Sequence, residues 1–183
     1  MAPRPRFLAP PISVLISIAL LVGSAGALPP VGSSPTTTTT LEDADGRALD
    51  ARAAAGRPML VVYEDRDTSQ QNAPLKRDLK ALAGETPRFA ALFMLPVADV
   101  SDYDYWPAKG FVRSAIRDES TRAGLSIYCD WDGGFRGALQ LRRKTSSVVL
   151  IGKDGRVLFA AEGSLSADAR KRVVALVRTE IGA

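Results

Sequence analysis

Histidine is absent from this 183-residue chain, and cysteine occurs once, as Cys129. Because histidine is the commonest general base and metal ligand, its absence excludes Ser-His and Cys-His dyads and argues against zinc and copper sites. A single cysteine cannot form a disulfide within its own chain. We therefore expect no metal and no cofactor, and a non-catalytic protein is favoured over an enzyme.

Long basic runs are also missing. The densest cluster is Arg142, Arg143 and Lys144, which is typical of a solvated turn. Net charge is +4, and two of the positive charges are Arg4 and Arg6 near the N-terminus. We expect no nucleic-acid partner, although salt-sensitive DNA binding through the basic cluster remains a third hypothesis for the function.

A targeting segment opens the chain. Arg4 and Arg6 precede an apolar run from Ile12 to Val22, and Ser24 to Ala27 has the small-residue pattern of a cleavage site. The run is shorter than the roughly 20 residues of a membrane span. We predict a signal peptide over residues 1–27, a periplasmic or secreted location, and only transient membrane contact. The alternative is an uncleaved anchor.

The segment from Leu28 to Thr40 is rich in Pro, Ser and Thr, so we predict a disordered linker. Residues 41–183 are long enough for one domain with its own core.

Two loops, Asp43 to Gly46 and Asp130 to Gly133, resemble calcium-binding loops. The turn-forming preference of Asp-Gly sequences explains both loops without a metal.

Hydrophobic periodicity predicts an alternating α/β domain. Its expected elements are an N-terminal hairpin (38–49), strands (59–63, 89–97, 125–129), helices (74–82, 111–123), a short helix before Leu139, a closing hairpin (148–151 and 157–160) and a final helix from Ser166 to Ile181. Helix 111–123 should turn Phe111, Val112, Ala115 and Ile116 inward. Alternating βαβ units imply a central mixed sheet flanked by helices, as in thioredoxin.

The junction at Thr68-Ser69-Gln70-Gln71 stands where thioredoxins carry their Cys-x-x-Cys pair. Together with Phe111 to Ser114, Gly137 to Leu141 and Ser146 to Val149, it resembles the YtfJ family of periplasmic proteins in the redoxin branch. The resemblance implies a signal peptide and a thioredoxin-like fold over residue 41 to the C-terminus. This chain departs from the redox pattern: the junction has no thiol, and Ser146 replaces the cis-proline of thioredoxins.

The fold analogy predicts a groove that binds a protein or peptide partner. Its candidate residues are Thr68, Ser69, Asn72, Arg113, Ser146 and Ser147. Thr68 and Ser69 precede a helix N-terminus, where free N–H groups can hold an anion, but either side chain could simply cap the helix. Arg113 is either a groove contact or a solvated charge.

Aromatic residues form a second candidate, a partner surface. Its members are Tyr103, Tyr105, Trp106 and Trp131. Exposed aromatic side chains mark protein interfaces, although half-buried loop anchors are equally common.

Cys129 supports the alternative function, a single-cysteine thiol peroxidase or redox protein. That chemistry requires a thiolate, which Asp130 is expected to disfavour. The preferred reading is an inert thiol or one that links two copies. The favoured hypothesis is thus an exported thioredoxin-fold protein without dithiol activity that binds an unidentified envelope protein or peptide.

Overall fold

A central apolar strand organises the domain in the computed structural model, which describes residues 28–36 and 39–183. The predicted signal peptide, residues 1–27, lies outside the described residues. The strands are β1 (Glu42–Asp43), β2 (Met59–Glu64), β3 (Phe93–Asp99), β4 (Tyr128–Asp130), β5 (Ser147–Ile151) and β6 (Val157–Glu162). The helices are α1 (Ala73–Glu85), α2 (Ala108–Ala123), α3 (Gly134–Ala138) and α4 (Ala167–Ile181).

The six strands form one mixed sheet in the order β1-β4-β3-β2-β5-β6. Strands β2, β3 and β4 are parallel, whereas β5, β6 and β1 pair antiparallel with their neighbours. Because β2, β3 and β4 step across the sheet in one direction, right-handed crossovers place α1 and α2 on the same face. The carboxyl ends of the three parallel strands meet at one edge of the sheet.

Two apolar clusters cover the faces of the sheet. The first joins β2, β5 and β6 to α1 and α4, with Leu75, Leu79 and Val177 at its centre. The second covers the opposite face, where Phe135 and Leu139 from α3 and its C-terminal end meet Tyr63. Apolar packing on both faces explains why the middle strands are continuous hydrophobic runs.

The predicted α/β plan is confirmed, including the N-terminal turn at Asp45-Gly46, where the Asp43 N–H donates to the Arg47 carbonyl at 2.9 Å. Ser166 caps α4, as predicted, by accepting a hydrogen bond from the Ala169 N–H. The ends of some elements differ from the predicted ones. The segment 87–91 is a 3₁₀ turn, so β3 begins four residues later than predicted.

Helix α2 differs most from the prediction. It begins at Ala108 and none of its residues is buried. Phe111 and Ala115, both predicted to face inward, are exposed. The periodicity identifies one apolar stripe, but it cannot say whether the rest of the molecule covers that stripe.

Part of the predicted linker lies against the sheet. The Gly32 N–H donates to the Val157 carbonyl at 2.7 Å, and the Val157 N–H donates to the Ser33 carbonyl at 2.8 Å. Pro29 is buried, and Leu28 packs against the second apolar cluster. A compositional argument misses this contact because it scores the segment alone, without the β6 edge that supplies partners for its backbone.

Candidate functional site

The predicted groove residues lie at the carboxyl edge of the parallel strands, and most are fully enclosed. Thr68, Asn72, Ser146 and Ser147 are each at most 3% exposed. Ser69 is half-buried in the turn that joins β2 to α1. These positions therefore contribute to the packed interior of this edge and not to an open binding cleft.

Asn72 is the centre of the arrangement. Its side-chain amide donates to Ser146 Oγ at 2.8 Å and to the Gly163 carbonyl at 2.9 Å. Its Oδ1 accepts a hydrogen bond from the Leu165 N–H at 3.0 Å. One buried amide thus ties the start of α1 to the residue preceding β5 and to the segment that follows β6.

Neither Thr68 nor Ser69 caps α1, contrary to one reading of the sequence. Asn72 occupies the N-cap position and makes no side-chain capping bond. The Thr68 hydroxyl instead exchanges hydrogen bonds with Asp65, at 2.9 Å to Oδ1 and 2.9 Å from the Asp65 N–H. Ser69 Oγ donates to the Arg66 carbonyl at 3.0 Å. Local turn closure satisfies both hydroxyls, as is typical of Asx and ST turns.

Glu64 is the site residue that the sequence did not reveal. At the end of β2, its Oε1 accepts from Ser146 Oγ at 3.0 Å and its Oε2 pairs with Lys76 Nζ at 2.5 Å. Burial raises the pKa of the Glu64 carboxyl, and the Lys76 ammonium only partly offsets this effect. Gln71 completes the group by accepting the Ser146 N–H at 3.2 Å. A glutamate that directly follows a buried strand was the available signal.

Asn72, Ser146, Glu64, Lys76 and Gln71 form a closed hydrogen-bonded group. It adjoins residues 68–71, where the sequence resemblance puts the redox pair of thioredoxins. Two buried side chains, Asn72 and Ser146, are satisfied by partners within the chain, as buried polar groups require. No thiol lies at residues 68–71. The arrangement can hold three elements in register, but it offers no nucleophile for disulfide exchange.

Cys129 lies in β4 and is 1% exposed. Burial raises the pKa of its thiol to about 11, although the Arg113 cation acts in the opposite direction. The Cys129 side chain is therefore a neutral thiol at physiological pH, poorly suited to nucleophilic attack. Asp130, which the sequence suggested would disfavour the thiolate, does not cause this rise in the thiol pKa. Neighbouring strand residues point to opposite faces, and Asp130 accepts the Tyr63 hydroxyl at 2.9 Å on the other side.

Arg113 lies away from the groove residues. Its guanidinium donates to Glu42 Oε2 at 2.9 Å and stacks 5.6 Å from the centre of the Trp131 ring. Lys109 Nζ lies 4.5 Å from the same ring. Trp131 is thus flanked by two cations and half-buried, which makes it a structural contact of α2.

The predicted partner surface divides into two parts. Tyr103, like Trp131, is half-buried. Tyr105 and Trp106 are 60% and 91% exposed, and Phe111 in the first turn of α2 is 74% exposed. We call Tyr105, Trp106 and Phe111 the aromatic surface. Phe111 joins it because the predicted inward orientation of Phe111 and Ala115 was wrong, whereas Val112 and Ile116 of the same predicted face are half-buried.

An ion pair connects this surface to the groove edge. Arg143, three residues before Ser146, pairs with Asp102 in the turn that precedes the aromatic surface. Arg142 pairs with Glu162. Both arginines of the basic cluster therefore have acidic partners, which reduces the positive field expected of a nucleic-acid site.

The described residues hold no group of three or more His, Cys, Asp or Glu side chains that could bind a metal. Asp43 and Asp132, considered for calcium, accept backbone N–H groups within their own turns. Within residues 28–36 and 39–183, no helix has the length and apolar character of a membrane span.

Several solved structures share this architecture. A putative protein disulfide isomerase from Bacteroides thetaiotaomicron has a TM-score of 0.64 at 12% identity, covering 87% of this chain and 95% of that one. Peroxiredoxin Q from Xanthomonas campestris has a TM-score of 0.57 at 16% identity, with coverages of 81% and 99%. A secreted Mycobacterium tuberculosis disulfide oxidoreductase has a TM-score of 0.52 at 15% identity, with coverages of 77% and 95%. At these identities the likeness establishes the thioredoxin-like fold alone.

No curated protein matches the chain at a significant level. A family model described as a bacterial protein of unknown function, YtfJ_HI0045, matches residues 62–180. That stretch runs from the central strand β2 to the last turn of α4 and includes every residue of the closed group. Because the match spans more than half of the sequence, the chain belongs to the YtfJ_HI0045 family.

Proposed function

We propose that this protein is an exported thioredoxin-fold protein that binds a protein or peptide partner through its aromatic surface and carries out no dithiol exchange. The observation that carries the proposal is the exposure of Tyr105, Trp106 and Phe111 within seven residues of chain. Large apolar side chains that stay exposed together mark interaction sites, and tryptophan and tyrosine are enriched among residues that dominate binding energy.

The position of the aromatic surface supports a binding role. It follows β3 at the carboxyl edge of the sheet and is joined to the groove edge by the Asp102–Arg143 pair. Binding sites of open α/β sheets lie preferentially at that edge. The closed group around Asn72 gives the surface a rigid base, since its polar atoms are already satisfied and need no reorganisation when a partner binds.

The chemistry that remains argues against the redox alternative. One cysteine cannot provide a dithiol pair, and the Cys129 thiol is buried with its pKa raised by burial to about 11. A peroxidatic thiol requires a thiolate with access to peroxide. The export proposal is supported by the predicted signal peptide and by the likeness to a structural neighbour that is a secreted protein.

Site-specific photo-crosslinking tests the proposal. A photoreactive amino acid replaces Trp106, Phe111 or, as the control, the exposed Arg172 on α4, and cells are irradiated before the envelope fraction is isolated. We expect one common partner band from positions 106 and 111 and none from position 172. A Trp106→Ala, Phe111→Ala variant should lower capture of the identified partner by at least about tenfold, since each aromatic anchor contributes 1 kcal/mol or more.

Equal crosslinking from all three positions, or unchanged capture by the double variant, would contradict the proposal. The folded state of the double variant is checked by its thermal transition. Loss of two exposed side chains should leave that transition nearly unchanged.

A further inference from the structure

Helix α2 is attached to the domain in an unusual way. It has 16 residues, none of them buried, whereas the shorter α1 buries three leucines and α4 buries Val173, Val177 and Ile181. Helices in globular proteins gain most of their stability from the packing of an apolar face. What holds α2 in place must therefore come mainly from other contacts.

Those contacts are charged. Arg113 donates to Glu42 Oε2 at 2.9 Å, and Arg117 donates to Asp45 Oδ1 at 2.8 Å and to the Ala44 carbonyl at 3.2 Å. Glu42 belongs to β1, and Asp45 lies in the turn that follows it. The paired side chains remain between 32% and 51% exposed, so dissolved salt screens their attraction.

The contacts of two cationic side chains with the Trp131 ring form the second attachment of α2, and two N–H donors at this contact lack a hydrogen-bond acceptor among the described residues. Lys109 and Arg113, one helical turn apart, lie over the Trp131 ring. Arg113 Nε and Trp131 Nε1 are buried and have no hydrogen-bond acceptor in the described part of the chain. Each unsatisfied donor costs free energy in the closed arrangement and would regain a water partner if α2 moved away.

The connectivity of the sheet puts Cys129 beneath this helix. The right-handed crossover from β3 to β4 puts α2 over the β4 end of the sheet, and Glu42, which holds Arg113, is the register partner of Cys129. Both Arg113 and Lys109 act electrostatically on the Cys129 thiol. The thiol is nonetheless 1% exposed, so it reacts with a solvent reagent only when its cover opens.

We propose that α2 is a charge-held cover over Cys129 that opens while the rest of the domain stays folded, and that ionic strength sets how often it opens. Regions with few buried apolar contacts open at a lower free energy than the core. The inference does not depend on the proposed partner binding, since it concerns only the contacts of α2 with its own domain.

Native alkylation of Cys129 by N-ethylmaleimide measures the opening. The rate is followed by mass spectrometry at constant pH in salt of about 10 mM and about 1 M, where the screening length falls from about 30 to about 3 Å. Glutathione in the same buffers corrects for salt effects on the reagent. We expect the corrected rate for the wild-type protein to rise by about tenfold or more with salt, because α2 loses its ionic attachments.

Three variants test whether the ionic contacts of α2 or the stability of the whole domain controls the alkylation rate. Arg117→Gln, which removes the bond to Asp45, should alkylate faster at low salt and show a smaller salt response. Arg122→Gln is the matched control: Arg122 lies on the same helix but pairs with Glu119 of α2 itself, so its rate should equal that of the wild type. Val177→Ala weakens the α1–α4 core and should lower global stability without a comparable change in alkylation.

Two results would overturn the inference. One is a corrected rate that does not respond to salt or to Arg117→Gln. The other is acceleration by Val177→Ala in proportion to the lost global stability, since that would mean Cys129 is reached only through complete unfolding. Hydrogen exchange provides a second readout, in which α2 amides should lose protection with salt while α4 amides keep it.

Discussion

Glu64, at the end of β2, links α1 and the segment before β5 through its carboxylate. Its carboxylate accepts the Ser146 hydroxyl and pairs with Lys76 while remaining largely enclosed. A buried carboxylate is tolerated only when it has partners, and here the partners belong to α1 and to the segment preceding β5. The neighbouring junction at residues 68–71, where the sequence resemblance puts the thiol pair of thioredoxins, has no thiol in this chain, so this edge carries a hydrogen-bonded carboxylate and no dithiol.

The Glu64 pKa predicts a dependence of stability on pH. Because burial raises the pKa above its ordinary value of 4.5, the folded protein binds this proton more tightly than the unfolded chain. The contribution is fully present below pH 4.5 and is lost as pH rises through the folded pKa. Each unit of pKa shift corresponds to about 1.4 kcal/mol. Urea unfolding between about pH 4 and pH 8 should show this component in the wild type and not in Glu64→Gln.

Lys76→Gln should raise the Glu64 pKa further, and the same urea experiment measures the effect. The substitution removes the cation that lowers the Glu64 pKa, so the stability component should extend to higher pH than in the wild type. Parallel stability curves for the wild type and Glu64→Gln at every pH would show that the carboxyl is not perturbed by its burial.

The helices differ in what they contribute to the domain, and sequence periodicity does not reveal the difference. Leu75, Leu79 and Leu82 recur at helical spacing in α1 and are all buried in the first apolar cluster. Phe111 and Ala115 recur at the same spacing in α2 and are exposed. The leucines of α1 form part of the core, whereas Phe111 and Ala115 of α2 form part of the outer surface.

Substitution of two apolar helix residues tests this difference. Leu79→Ala leaves a cavity in the first cluster and should lower the free energy of unfolding by about 2–5 kcal/mol. Phe111→Ala removes a larger side chain but should change it by no more than about 0.5 kcal/mol. Chemical denaturation of both variants measures the contrast. A loss of comparable size in Phe111→Ala would mean that α2 packs inward in solution.

At the scale of the whole molecule, the two faces of the sheet are closed by different means. Helices α1 and α4 cover one face with a continuous apolar cluster. The other face is covered by α3, the loops around it and the segment from residue 28, whose Leu28 packs against the second cluster. Residues 28–36 therefore pack with the domain that they precede.

Removal of that segment is expected to destabilise the domain. A protein that begins at residue 39 loses the Leu28 and Pro29 contacts and both bonds to Val157, and should be about 1–3 kcal/mol less stable than one that begins at residue 28. Thermal unfolding of the two proteins measures the loss. Val31→Ser in the longer protein is the control, because Val31 is 65% exposed and its change should have almost no effect. Equal stability of the two lengths would show that the segment only rests on the surface.

The sequence by itself determined the α/β order, the thioredoxin-like plan, the family and the absence of a dithiol pair, because hydrophobic periodicity, turn residues and residue counts are local properties. Tertiary structure decided the rest. Asn72 and Ser146 are 74 positions apart, and only folding reveals that they bond to each other instead of facing a ligand. Exposure of Phe111, burial of Cys129 and the contact of Leu28 with the sheet likewise depend on which surfaces meet, since burial belongs to pairs of elements and not to one segment of sequence.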